Sequence, residues 1–429
     1  MDTSSSAAVI RGEREYFKLF AAGLVNGIGD RFSQVAMLSL IFHLTGSGMA
    51  IGVAFAVRLV PSLFLAPLGG ILGSKLPRKV ILISVDLLRI PFALSFLWVT
   101  DADRLWLLYT ASFFMAAGEA IYAPMRKSLI PLLARPDSLL KINGLEQLMT
   151  GCVLILGAFT GGIVSLWFGP ELAFVMNAAS FLLAAVIIYS IKFPKLPESY
   201  PQSKQPVTGL FDVENAAADS TTSKVLRRNL LRIISVSLPL QLVLVYELLV
   251  PMVSGLDNVL ISVYALKVFD AGDAGVGIFY AALGMGLSCS FVVARMLKGR
   301  LVAGAVGGLL LEGVLLACLS VSGNFVTAAV LYIFLATAGG VSSACLDTLV
   351  MKETPVTMQP MLFGILAAVG NTLLGLSMLL AGWMLELIEP RRLGMAGGFG
   401  LVSIALVMAA YALLRSKKDG SFTALWKTL

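Results

Sequence analysis

Six charged side chains lie inside long apolar runs, where a charge needs either a partner or a chemical task. They are Asp30, Arg31, Arg58, Glu119, Glu247 and Asp257. A charged residue at the centre of a membrane helix costs about 2.5–3.5 kcal/mol on insertion scales. A carboxylate in such a place can bind a proton or a cation, and an arginine can hold an anionic group. We therefore expect these six residues to bind a ligand or to couple its movement to protons.

Structural ion pairs are the alternative for several of these charges. Asp30 has two candidate partners on neighbouring helices, Arg58 and Arg89. Arg31 cannot share the helix face of Asp30, because successive helical residues diverge by about 100°. Asp86 and Arg89 lie three residues apart on one face, and this spacing predicts a structural charge pair.

The other carboxylates differ in the roles open to them. Glu119 either relays protons or anchors a basic loop through Arg126, which lies about two helical turns further along. Glu247 is central in its apolar run and is a second candidate for a coupling carboxylate. Asp257 lies nearer the end of the same run, and Glu312 has no assigned role.

The composition places these residues in a membrane protein that crosses the bilayer several times. Of 429 residues, 58% are hydrophobic and 13% are charged, and the mean hydropathy is +0.89. An average soluble domain is about a quarter charged. The composition excludes a soluble enzyme, a disordered chain and a secreted disulfide scaffold.

Twelve apolar runs are long enough to cross a hydrocarbon core of about 30 Å as helices. We number them spans 1 to 12, and they cover residues 17–43, 50–73, 79–100, 105–127, 139–167, 170–193, 230–263, 274–297, 301–320, 325–350, 358–387 and 392–415. Regular alternation of apolar and polar residues is absent from the sequence, which argues against a β-barrel.

The basic residues predict the orientation of these spans. With both termini in the cytoplasm, 25 of the 32 Lys and Arg residues fall in cytoplasmic segments. The outside loops hold only Arg104, Lys267, Arg391 and Arg392. Such an excess follows the positive-inside rule, so topology explains the net charge of +7 and no nucleic-acid partner is expected. We expect a multi-pass protein of the cell inner membrane.

One long polar segment divides the chain. Residues 194–229 contain four prolines, then polar residues and a basic end, a composition typical of a solvated cytoplasmic linker. It separates an N-terminal six-helix bundle, 1–193, from a C-terminal bundle and short tail, 230–429. Two six-span halves around a single linker suggest parallel repeats with a site near the midplane.

The sequence lacks the motifs typical of a nucleotide-binding loop, a multi-histidine metal site or a catalytic centre. We therefore expect neither a cofactor nor an enzyme. The four cysteines lie in apolar runs without CxxC spacing and are expected to be buried small side chains. His43 is the only histidine, so a multi-histidine metal site is impossible, although a site of Asp, Met and Cys stays open. The sequence has no GxxxxGK[ST] loop for an ATP-driven pump.

The loop between spans 2 and 3 resembles the signature of the major facilitator superfamily, Gly-x-x-x-Asp-Arg/Lys-x-Gly-Arg/Lys-Arg/Lys. The matching positions are Gly70, Lys75, Arg78 and Lys79. Ser74 stands at the acidic position and Pro77 at the second glycine. The resemblance implies that this loop gates the cytoplasmic side. In the family the acidic residue helps to hold the two halves together there, and this chain lacks that residue.

Other segments are similar to the branch that contains macrolide-efflux proteins and enterobactin exporters. They include Gly29-Asp30-Arg31-Phe32, Arg58-Leu59-Val60-Pro61, Asp86-Leu87-Leu88-Arg89 and Asn177-Ala178-Ala179-Ser180-Phe181. This resemblance implies an all-α major facilitator fold of twelve transmembrane helices in two six-helix bundles. It also implies alternating-access export of an amphipathic drug or siderophore by proton antiport, with span 3 at the periphery. We expect a monomer whose partners are its small-molecule substrate, protons and the lipid bilayer.

Two alternatives share the same fold. A lysophospholipid flippase is the first, because Arg31 and Arg58 near the membrane centre are able to hold a phosphate. A ferroportin-like exporter of divalent metal is the second, since that family also carries Gly-Asp-Arg in span 1, but the shortage of histidine disfavours it.

Overall fold

The computed structural model describes residues 3–45, 76–157, 167–192, 232–297 and 300–418, with isolated positions between 50 and 65 and at 160 and 164. These residues are helical almost throughout, as the apolar runs predict. Ten helices are long and apolar enough to cross a membrane. The helix of span 1 is not among the ten, since its middle carries Asp30 and Arg31. The predicted linker 194–229 lies outside the described residues, so the division into two bundles stays a prediction.

Eleven helices have defined bounds within the described residues. They are Thr3–Thr45, Arg78–Ser95, Leu105–Leu133, Leu139–Cys152, Pro170–Ser190, Leu238–Val263, Gly272–Met296, Leu301–Val321, Phe325–Glu353, Gln359–Leu387 and Pro390–Lys418. They correspond to spans 1 and 3 to 12. Span 2 is described only at separate helical positions between 53 and 65.

Two spans change from α-helix to π-helix near one end. Span 5 continues past Cys152 as a π-turn over Val153–Gly157, and span 7 continues past Val263 as one over Tyr264–Val268. A single π-turn shifts the side chains that follow it around the helix axis, and such turns are frequent at functional sites.

The helices of the two halves of the chain have corresponding neighbours. Span 1 packs on span 6, and span 7 packs on span 12; spans 3 and 4 pack together, as do spans 9 and 10. Contacts between the halves join span 5 to spans 8 and 10 and span 4 to span 11. The described helices of the two halves therefore pack in a corresponding order.

The outer surface is apolar, as a lipid-facing surface must be. Large hydrophobic side chains such as Phe64, Leu182, Leu379 and Trp383 are more than half exposed. Trp98 and Trp106 are also largely exposed, near adjoining ends of spans 3 and 4. Tryptophan is enriched where membrane meets water, so this pattern suits a protein that crosses a bilayer.

Candidate functional site: a buried charge cluster on spans 1, 3 and 4

Arg89 of span 3 is the centre of a charge cluster inside the first half of the chain. One of its terminal nitrogens, Nη2, donates to Asp30 Oδ2 of span 1 at 2.6 Å, and Nη1 donates to Glu119 Oε2 of span 4 at 3.1 Å. The Arg89 side chain is only 2% exposed. Its guanidinium also stacks over the Phe181 ring of span 6, with 4.3 Å between Cζ and the ring centroid. One arginine therefore ties four spans together.

Asn26 extends this cluster to a third carboxylate. Its Nδ2 donates to Asp86 Oδ1 at 2.8 Å, and its Oδ1 accepts a longer bond of 3.4 Å from Arg89 Nη1. Asp86 is fully buried. The arrangement holds three carboxylates around one guanidinium. Burial penalises any charge that lacks a partner, so each of these carboxylates depends on the polar and cationic groups near it.

The predicted pair of Asp86 with Arg89 is not formed directly. The two residues share a helix face, but Arg89 is long enough to reach Asp30 and Glu119 on other helices, and Asn26 lies between Asp86 and Arg89. The Arg89 side chain points into the bundle, and the expectation that span 3 as a whole is peripheral stays a prediction. Asp30 therefore forms its ion pair with Arg89, which is one of the two partners predicted for it.

Glu119 is the most accessible member of the cluster. Its side chain is 48% exposed, whereas that of Asp30 is 18% exposed. Glu119 lies on span 4, which contacts span 11 of the other half. The cluster thus combines a buried ion pair with a more exposed carboxylate, an arrangement that can take up or release a proton.

Arg31 and Arg58 differ from Arg89 in having no carboxylate partner among the described residues. Arg31 Nη1 donates to the amide Oε1 of Gln34 at 2.8 Å, one turn along span 1. Arg58 forms no ion pair within the described part of the chain. Both arginines lie within electrostatic range of Asp30. They are cations whose charge is available to another group.

The candidate carboxylates of span 7 lie apart from this cluster. Asp257 Oδ2 accepts a hydrogen bond of 2.6 Å from the Tyr332 hydroxyl of span 10. Glu247 packs against span 11, where a Cβ added at Gly370 would lie 2.7 Å from Glu247 Oε2. The structure therefore does not bring Glu247 together with Asp30.

Among the described residues, polar contacts of Lys127, Asn143 and Arg78 join the two halves at the end of the molecule that the positive-inside rule assigns to the cytoplasm. Lys127 Nζ of span 4 pairs with Asp347 of span 10, at 2.8 Å to Oδ2 and 3.0 Å to Oδ1. Asn143 Nδ2 of span 5 donates to Thr348 Oγ1 at 2.9 Å. Asp347 lies near the end of span 10 and forms this bridge.

The gating loop predicted between spans 2 and 3 is only partly within the described residues. Gly70, Ser74 and Lys75 lie outside them. Arg78 donates from Nη2 to the Val356 carbonyl at 2.6 Å, the third contact between the halves, and Lys79 donates to the Ile191 carbonyl at 2.8 Å. Arg78 therefore joins the halves, whereas Lys79 contacts the end of span 6 in its own half.

Arg126 pairs with Glu146 of span 5 rather than with Glu119. Its Nη1 and Nη2 lie 2.5 and 3.1 Å from the two oxygens of Glu146, which also accepts from the Tyr16 hydroxyl at 3.0 Å. Glu146 is buried. Spacing along span 4 gave no sign of this pair, because the partner belongs to another helix.

Spans 5 and 8 cross closely through facing glycines. A Cβ at Gly284 would lie 2.9 Å from the Gly151 carbonyl oxygen, and one at Gly151 would be closer still to the Gly284 carbonyl. Small residues allow backbones to approach in this way. The backbones of two helices from different halves therefore lie close together at this crossing.

Sequence reasoning missed Asn26, Phe181, Lys127 and Tyr332, each of which contacts a residue that it singled out. Asn26 had a usable signal, since it lies four residues before Asp30 and so on the same face of span 1. For metals, the described residues contain no group of three or more His, Cys, Asp or Glu side chains able to hold an ion.

Comparison with known proteins decides the family. The profile of the Major Facilitator Superfamily matches residues 19–375, most of the chain. The chain belongs to the major facilitator superfamily. The resemblance found in the sequence is thereby confirmed, and the chain is a multi-pass membrane protein of a transporter superfamily.

Relatives within the superfamily are distant and matched over part of their length. The chain is 27% identical over 185 residues to the multidrug resistance protein MdtH of Baumannia cicadellinicola subsp. Homalodisca coagulata. It is 22% identical over 185 residues to macrolide efflux protein A of Streptococcus pyogenes, and 22% identical over 191 residues to the lysophospholipid transporter LplT of Serratia proteamaculans. These alignments cover 42–44% of this chain and 44–45% of each relative.

Solved structures of the superfamily share the fold over nearly the whole chain. The Escherichia coli fucose:proton symporter FucP superposes with a TM-score of 0.69 at 14% identity, covering 92% of this chain and 98% of FucP. A bacterial homologue of the iron transporter ferroportin, in an outward-facing state, gives 0.70 at 16% identity, covering 93% and 99%. The expected major facilitator fold is therefore present.

Proposed function

We propose that this protein is a proton-coupled exporter of an amphipathic small molecule, such as a drug or siderophore, that works by alternating access. The observation that supports it best is the cluster of Asp30, Arg89 and Glu119. It joins a buried ion pair to Glu119, a carboxylate that is 48% exposed, and we infer that this carboxylate exchanges protons with the transport cavity. MdtH and macrolide efflux protein A, both named for resistance or efflux, support export as the direction.

Protonation of the cluster supplies the coupling. When Asp30 or Glu119 takes up a proton, that carboxyl loses its charge and its ion pair with Arg89 weakens. Arg89 is then paired with the other carboxylate alone. The electrostatic attraction that holds spans 1, 3 and 4 together changes as a result. Binding of substrate in the cavity favours release of the proton, so one movement of the protein carries the substrate outwards and the proton inwards.

The contacts between the halves correspond to an outward-facing state. Lys127 with Asp347, Asn143 with Thr348 and Arg78 with Val356 close the end of the molecule that is assigned to the cytoplasm. Export requires the opposite state as well, in which these three contacts break and the halves rock about the crossing of spans 5 and 8.

The proposed setting is the cell inner membrane, with twelve spans in two six-helix bundles and both termini in the cytoplasm. The distribution of Lys and Arg supports this orientation. The packing of spans 1 and 6 and of spans 3 and 4, which matches that of spans 7 and 12 and of spans 9 and 10, supports the two-bundle arrangement. We propose that the protein works as a monomer.

Asp30→Asn and Glu247→Gln are each expected to reduce substrate-dependent proton flux at least tenfold, because each removes a titratable group from a cavity helix. The measurement uses purified protein in liposomes that contain a pH-sensitive dye, with macrolides, siderophores, lysolipids and divalent metals added in turn. The matched control is Asp101→Asn, an exposed residue in the loop between spans 3 and 4. Full transport with unchanged pH dependence in both variants would refute the coupling assignment.

A second candidate, transport of a lysophospholipid, is favoured by the two arginines without carboxylate partners. Arg31 and Arg58 leave two positive charges near the middle of the membrane, which suits a phosphate group better than a cationic drug. The relative LplT is named as a lysophospholipid transporter. An exporter of divalent metal is not proposed.

Arg31→Gln and Arg58→Gln separate this candidate from the first. For a lysophospholipid, each should lower transport about 10- to 100-fold, the effect of losing one hydrogen bond to a charged group. For a neutral macrolide, both should transport within about twofold of the parent protein. Arg300→Gln, at the exposed start of span 9, is the control. Unchanged lysolipid transport in both variants would reject the second candidate.

A further inference from the structure

A groove runs between the start of span 1 and the end of span 6, away from the charge cluster. It encloses about 580 Å³. The side chains that line it are Arg14, Glu15, Phe17, Lys18, Ala21, Ile187 and Lys192. We call it the span 1–6 groove. Its lining is basic at one end and apolar at the other, which is the polarity of a membrane lipid.

At the basic end of the groove, Lys18 and Glu15 connect span 1 to the end of span 6. Lys18 Nζ donates to both oxygens of Glu15 at 2.9 Å and to the Ser190 carbonyl at 3.2 Å. The backbone N–H of Lys192 donates to Glu15 Oε2 at 2.8 Å. Lys18 offsets the charge of Glu15 in this contact, so the carboxylate fastens span 1 to the end of span 6.

Two cations remain at the same end. Within the described part of the chain, neither the guanidinium of Arg14 nor the ammonium of Lys192 pairs with a carboxylate. Both residues are exposed. They lie at the end of the molecule that is rich in Lys and Arg and faces the anionic leaflet under the positive-inside rule.

The apolar end continues onto the lipid-facing surface. Phe17 is 56% exposed, and Ala21 follows it one turn further into the membrane. On span 6, Ile187 lines the groove, and Val186 and Leu183 beside it are 59% and 50% exposed. An acyl chain that follows this strip stays within the hydrocarbon layer while its headgroup reaches Arg14 and Lys192.

We propose that the span 1–6 groove binds an anionic phospholipid from the cytoplasmic leaflet, with the phosphate on Arg14 and Lys192 and an acyl chain along Phe17 and Ile187. This site is separate from the transport cavity and does not depend on the identity of the substrate. Each basic residue near an anionic surface contributes on the order of a few-fold in affinity, so two together account for about 10- to 30-fold.

The test is native mass spectrometry of the purified full-length protein with phosphatidylglycerol or phosphatidylcholine. The double variant Arg14→Gln/Lys192→Gln should bind phosphatidylglycerol about 10- to 30-fold more weakly than the parent protein and phosphatidylcholine equally. Ala21→Trp fills the apolar part without changing charge and should weaken binding of phosphatidylglycerol as well. The control Arg295→Gln/Arg300→Gln removes two exposed cations near spans 8 and 9 and should bind as the parent does.

Two results would overturn the proposal. If both groove variants bind phosphatidylglycerol as the parent does, the groove is not a lipid site, as expected if the chain's own residues 193–231 cover it. If soluble glycerol phosphate binds the parent as tightly as phosphatidylglycerol, the groove recognises a free phosphate and its apolar half is not used. Thermal unfolding of each variant, compared with the parent, identifies a loss of fold.

Discussion

Arg89→Met is expected to abolish transport and to destabilise the protein by about 3–5 kcal/mol, the cost of removing one partner from a buried ion pair. The substitution leaves Asp30 and Glu119 facing each other without their shared cation, and Asn26 loses a donor. Substrate-dependent proton flux in liposomes measures the first effect, and unfolding in detergent measures the second. Arg104→Met is the matched control, because Arg104 pairs with Asp101 at the exposed outer end of the molecule.

A triple variant distinguishes coupling from folding. Arg89→Met/Asp30→Asn/Glu119→Gln removes Arg89 together with the two carboxylates that pair with it, so part of the lost stability should return while proton coupling stays absent. If Arg89→Met alone transports with the parent's pH dependence, the cluster is not the coupling site. If the triple variant regains proton-coupled transport, the buried charges have no role in coupling.

Breaking the bridge between Lys127 and Asp347 is expected to open the cytoplasmic end. Lys127→Gln or Asp347→Asn removes a pair whose members are 40% and 17% exposed, which favours the opposite conformation by roughly 3- to 10-fold. Spin labels at Lys141 and Lys352, exposed residues at the same end of spans 5 and 10, report the distance between the halves. The population at longer distance should rise in both variants.

A variant in which the charges of Lys127 and Asp347 are exchanged tests whether the ion pair itself holds the cytoplasmic end closed. Lys127→Asp/Asp347→Lys restores an ion pair in reversed order and should return the distance distribution towards that of the parent. Arg135→Gln, a nearby exposed cation outside the bridge, should leave the distribution unchanged. Identical distributions in the parent and both single variants would show that the bridge does not hold this end closed.

The sequence by itself determined the class of protein and the residues to examine. Apolar runs of about 20 residues can be stable in a bilayer only as helices, so composition and length were sufficient to predict a helical membrane protein. The motifs of spans 1 to 6 gave the superfamily. Because a charge inside an apolar run is rare, Asp30, Arg89 and Glu119 stood out without any structure.

Only the tertiary structure decided which charges meet. Spacing along a helix fixes the face on which a side chain lies, but not which other helix packs against that face. Arg89 therefore reaches Asp30 and Glu119 on spans 1 and 4 instead of Asp86 on its own helix, and Lys127 finds Asp347 some 220 positions away. The physical reason is that an arginine or lysine side chain spans the gap between packed helices, so its partner is set by helix packing and not by the local sequence.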